Sequence, residues 1–85
     1  MSWDFLVYNE NILLFMFIFT KHAKKRILER GIFTQDIKRA FENPDRVSKD
    51  FDGKMVLKKR LNGKTIEIIY IVKNDKIIVI TCYFL

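Results

Sequence analysis

Asn62-Gly63 sits between two alternating runs, residues 54–61 and 64–72, and marks a two-residue β-hairpin. Both residues tolerate the positive φ of a type I′ turn, which matches the twist of the flanking strands. A two-residue loop permits one register: Leu61 faces Lys64, Leu57 faces Ile68, and Met55 faces Tyr70. Asn74-Asp75 offers a second tight turn ahead of a last strand at 77–84. The C-terminal half therefore reads as an antiparallel meander of three strands. A weak strand or loop at 45–51, ended by Asp52-Gly53, is a candidate fourth.

Continued through the second turn, this register sorts the side chains into two faces. One holds Met55, Leu57, Ile66, Ile68, Tyr70, Val72, Ile77, Val79, Thr81 and Tyr83. The other holds Val56, Lys58, Arg60, Thr65, Glu67, Ile69, Ile71, Ile78, Ile80, Cys82 and Phe84. Lys58 stands opposite Glu67 and Arg60 opposite Thr65, so charge interrupts the second face. In this register Thr81 is expected to pack in the core, its hydroxyl satisfied by a helix or by His22.

Two short helices are expected before the meander. The first runs from Thr20, whose hydroxyl can accept an early helical N–H, to Gly31, which can adopt the left-handed closing conformation. His22, Arg26 and Arg30 recur at every fourth position and form one polar ridge, with Ala23 and Ile27 beside it for packing. The second has Thr34 as its expected N-cap, Asp36 in its first turn, and an apolar face of Ile37, Ala40 and Phe41. Asn43-Pro44 stops it. Residues 12–19, an unbroken apolar run, read as a first strand buried on both faces. The expectation is a single α+β domain over residues 1–85, with 1–11 as an N-terminal extension.

Two helices can cover only one face of a sheet whose faces are both apolar. The uncovered face is expected to be an interface with the N-terminal extension, a second copy, or a partner protein.

The net charge of +6 draws the chain to polyanions. The one cysteine, Cys82, permits no internal disulfide and suits a reducing cytoplasm; its apolar surroundings make it a buried small hydrophobe. The apolar run of eight is too short for a membrane helix of about 20 residues. No metal site, cofactor loop or nucleophile triad stands out. A ridge of one imidazole and two guanidiniums suits an anion with protons to move, and equally a solvated helix face.

The order His22-Ala23, Arg26, Arg30-Gly31-Ile32, Asn43-Pro44 and Val79-Ile80-Thr81 with Tyr83 resembles a family of small bacterial and archaeal domains long labelled as of unknown function. Its marks are an H-A-x-x-R-x-x-x-R-G-I helix and a V-I-T-x-Y final strand, and the likeness runs from about Phe19 to Tyr83. That family looks like a branch of the RelE-like and barnase-like ribonuclease toxins, small α+β domains with two helices on an antiparallel sheet. The resemblance implies metal-independent RNA cleavage without a cofactor, by a toxin held inactive by an antitoxin, on free or ribosome-bound mRNA.

Carried over by that resemblance, His22 is the candidate acid or base, Arg26 the phosphate clamp, and Thr81 a hydrogen-bond donor. Glu67 is a second proton-transfer candidate, and Arg30, Lys58, Arg60 and Tyr83 are candidate RNA contacts. The competing readings are a non-catalytic module that binds RNA or protein, and a structural homodimer joined through the uncovered sheet face.

Overall fold

A computed structural model describes the backbone of residues 6–9 and 13–85, and the side chains from residue 16 onward. The order is β1 (Leu6–Asn9), β2 (Leu13–Phe19), α1 (Lys21–Arg30), α2 (Thr34–Glu42), β3 (Arg46–Lys49), β4 (Met55–Leu61), β5 (Lys64–Lys73) and β6 (Lys76–Phe84). The strands form one mixed sheet in the order β1-β2-β6-β5-β4-β3. Strands β3 to β6 are the antiparallel meander, β2 joins β6 in parallel, and β1 pairs antiparallel with β2. This is the expected α+β architecture, widened at one side. Of the expected N-terminal extension, residues 6–9 form β1; residues 1–5 and 10–12 lie outside the described residues.

The turns form as their residues dictate. Asn62 and Gly63 have φ of 51° and 83°, and Asn74 and Asp75 have 51° and 61°. The β4–β5 register is the expected one, with Leu57 opposite Ile68 and Met55 opposite Tyr70. The loop between β3 and β4 is held by Asp50, whose Oδ1 accepts from the backbone N–H of Asp52 and Lys54 at 2.9 Å.

Helix α1 is capped at both ends as its sequence demands. Thr20 Oγ1 accepts from the Ala23 N–H, and Gly31, at φ 65°, donates its N–H to the Ile27 carbonyl. Helix α2 departs from expectation. Its N-cap is Phe33, not Thr34, because the Phe33 carbonyl already accepts from Asp36 and Ile37; no side-chain cap forms.

Both helices lie on one face of the sheet. Ala23 and Ile27 of α1 and Ile37, Ala40 and Phe41 of α2 are buried against Phe17, Leu57, Ile66, Ile68, Tyr70 and Val79. Phe41 fixes α2 through edge-to-face contacts with Phe17 at 4.5 Å and Tyr70 at 4.8 Å between ring centres. Because one face is covered and the other is not, the described part of β2 is one-sided. Phe17 and Phe19 are buried while Met16 and Ile18 are exposed, which corrects the expectation of a strand buried on both faces.

The main correction lies in β6. Ile69 pairs with Thr81 but Tyr70 pairs with Val79, so Ile80 is an extra residue in the ladder. A β-bulge of this kind reverses the alternation beyond it. Cys82 and Phe84 therefore turn to the helix-covered face, opposite Ile68 and Ile66; Cys82 is fully buried and Phe84 packs against the core. Thr81 and Tyr83 turn to the open face, the reverse of the bulge-free register.

Candidate functional site

The bulge assembles a polar row on the open face. Arg46 of β3 pairs with Lys58 of β4, Lys58 with Glu67 of β5, and Glu67 with Tyr83 of β6. Directly opposed residues of antiparallel strands share a face, so four strands contribute one side chain each to a single line. The Tyr83 phenol donates to Glu67 Oε2, and Lys58 Nζ lies 3.6 Å from Oε1 of the same carboxylate. The Glu67 side chain is only 13% exposed whereas that of Lys58 is 41% exposed, so the carboxylate is sheltered and the ammonium faces solvent.

The electrostatics follow from that geometry. The Tyr83 hydroxyl is pushed up from 10.0 to about 12, first by its hydrogen bond to Glu67, then by burial and the carboxylate charge. Tyr83 thus stays a protonated donor at neutral pH. One row toward the Asn62-Gly63 turn, Arg60 stands opposite Thr65; one row the other way, Thr81 stands opposite Ile69.

The helix residues stand elsewhere. The Thr20 hydroxyl donates to the Ile80 carbonyl at 2.9 Å, so α1 starts beside the bulge, with His22 two residues further along. His22 is exposed and Arg26 half-buried, and neither side chain makes a hydrogen bond or ion pair with the described residues. The expected bond from His22 to Thr81 is therefore not formed. Arg30, at the far end of α1, borders a separate depression on the helix side. The structure brings Lys58, Glu67 and Tyr83 into contact and places Thr81 and Arg60 on the same face. His22, Arg26 and Arg30 remain on the helix.

Arg46 is the member that sequence reasoning missed. Its register depends on the five-residue Asp50–Lys54 loop, for which no two-residue turn rule applies. The available signal was the carboxylate of Asp50, a residue type that closes such loops on its own side chain. Asp45, just before it, also organises this edge. Its carboxylate accepts from the Arg60 N–H at 2.8 Å and from Lys59 Nζ at 3.2 Å, and these bonds hold its carboxyl below 3.8.

Cys82 is no nucleophile at neutral pH: burial pushes its thiol up to about 11, opposed in part by the charge of Arg30. Among the described residues no three His, Cys, Asp or Glu side chains are grouped to hold a metal ion, and no helix is long and apolar enough to cross a membrane.

No curated protein and no solved structure matches the chain. Residues 19–84, from the end of β2 through β6, match a domain of unknown function, DUF4258, and the chain belongs to that family.

Proposed function

We propose that the protein is a toxin-like, metal-independent endoribonuclease whose reaction centre is the open face of the sheet. The observation that carries this reading is the Lys58–Glu67–Tyr83 row, a sheltered carboxylate held between a cation and a phenol on an uncovered face. The net charge of +6 and the resemblance to RelE-like and barnase-like toxins support it.

In the proposed reaction the ribose 2′-oxygen attacks the adjacent phosphorus and its proton passes to Glu67. The bond from phosphorus to the 5′-oxygen breaks, and that oxygen takes a proton from a water molecule on the open face. The products are a 2′,3′-cyclic phosphate and a 5′-hydroxyl end. Tyr83 orients Glu67, Lys58 stabilises the extra charge on phosphorus, and Thr81 donates a hydrogen bond. Arg46 and Arg60, on the same face, hold the flanking phosphates.

The test is incubation with total RNA and with ribosomes carrying mRNA, in excess chelator. Discrete cleavage by the parent is expected, reduced about 10²–10⁴-fold by Glu67→Gln. Cleavage that survives Glu67→Gln and Lys58→Ala but fails in His22→Ala and Arg26→Ala would move the centre to the helix. No cleavage of either substrate by folded protein would remove the reading.

A second reading, a module that binds a protein partner, is favoured by the remainder of the open face. Val56, Ile69, Ile71, Ile78 and Ile80 are half-buried there and Ile18 is 36% exposed. An antitoxin or a second copy of the chain would cover such a surface. A stable dimer without RNA cleavage would favour it.

A further inference from the structure

The open-face row does not use the depression at the other end of α1. Arg30, Phe33, Asp36, Leu61, Lys64 and Phe84 border a shallow pocket of about 250 Å³, where the loop between the helices meets the β4–β5 turn. Its floor is apolar, since Leu61 and Phe84 both pack against the core. Its walls carry two cations. Lys64 Nζ lies 5.2 Å from the centre of the Phe84 ring, and Arg30 lines the same pocket from the end of α1. Phe33, at the rim, is 66% exposed. Asp36 is the one acid, and Arg39 stands 3.9 Å from it, so the pocket's balance is positive.

Two cations beside an exposed ring match a ligand with a compact anion and a flat π-system. Phosphate oxygens take charge-assisted bonds from guanidinium and ammonium groups, and a nucleobase gains by stacking on an aromatic face. The volume lies just below the roughly 300–1,000 Å³ of ordinary ligand pockets, so it admits one small unit.

We propose that this pocket binds a nucleoside monophosphate unit, with its phosphate on Arg30 and Lys64 and its base against Phe33. Asp36 offers an acceptor for a sugar hydroxyl. The pocket opens on the helix-covered side, apart from Glu67, so this assignment does not rest on the ribonuclease reading. A free nucleotide and the 5′-phosphorylated end of an RNA strand present the same chemistry.

The test is a titration of the full chain by heteronuclear NMR with 5′-AMP, adenosine, inorganic phosphate and a short 5′-phosphorylated oligoribonucleotide. 5′-AMP is expected to shift the amides of Gly31, Phe33 and Asn62. Arg30→Ala and Lys64→Ala, both at exposed positions, should each weaken it about tenfold, as expected for loss of one charge-assisted bond. Lys73→Ala, at the exposed β5–β6 turn, should leave it unchanged. Tighter binding of the oligonucleotide than of 5′-AMP identifies a strand end as the ligand, and equal binding identifies the free nucleotide. Absence of those shifts, phosphate binding as tight as 5′-AMP, or an unaltered Arg30→Ala variant overturns the proposal.

Discussion

Thr20 is tied to Ile80, sixty residues away: its hydroxyl donates to the Ile80 carbonyl at 2.9 Å while accepting from the Ala23 N–H at 3.1 Å. One side chain therefore caps α1 and satisfies the carbonyl of the bulge residue. The Thr20 N–H also donates to the Val79 carbonyl at 3.1 Å, so the end of β2, the start of α1 and the bulge meet at one point.

Removal of that hydroxyl loses a cap and leaves a part-buried carbonyl without its donor. Thr20→Ala is expected to cost about 1–3 kcal/mol in urea denaturation, and Thr20→Ser to restore most of it. An unchanged midpoint for Thr20→Ala would show that water replaces both bonds without loss.

Deletion of Ile80 tests the bulge itself. Without Ile80, Val79 and Thr81 become consecutive opposite Tyr70 and Ile69, so the ladder runs on with Cys82 and Phe84 still inward. The deleted chain is expected to keep a cooperative thermal transition while losing about 1–3 kcal/mol with the Ile80 side chain and the bond from Thr20. Ile80→Val keeps the residue count and should cost under about 1.5 kcal/mol. A deletion variant as stable as the parent would mean that the sheet does not need the extra residue.

The two sheet faces should respond differently to the same change. Ile68 is fully buried beneath the helices and Ile71 is only half-buried on the open face. Ile68→Ala is expected to cost about 2–5 kcal/mol, the usual range for a fully buried residue, and Ile71→Ala about 1 kcal/mol. The reverse order in chemical denaturation would place the helices on the other face.

Alkaline titration should reveal Tyr83 and Cys82. Both groups have folded values above their unfolded ones, Tyr83 about 12 against 10.0 and Cys82 about 11 against 9.0. Raised values stabilise the fold below the unfolded value and lose that contribution as pH rises through the folded one. Stability by guanidinium denaturation should therefore fall from about pH 9 to 11 for the thiol and from about pH 10 to 12 for the phenol. Tyr83→Phe should remove the second part. Glu67→Gln should bring the Tyr83 phenolate absorbance midpoint down toward 10, and an unmoved midpoint would contradict the hydrogen bond as its main cause.

What the sequence determined by itself is the set of features whose causes are local. Asn62-Gly63 and Asn74-Asp75 form tight turns because those residues accept positive φ, and a two-residue turn sets its hairpin register. Thr20 and Gly31 bound α1 through bonds to residues three and four positions away. The tertiary structure decided what depends on distant partners: the parallel pairing of β2 with β6, the covered face, and the bulge at Ile80. No residue near Ile80 announces that bulge. Its carbonyl is satisfied by Thr20, and Cys82 and Phe84 are drawn inward by the apolar surface beneath the helices. That one-residue shift turns Thr81 and Tyr83 outward, so Glu67 meets Tyr83 only in the folded sheet.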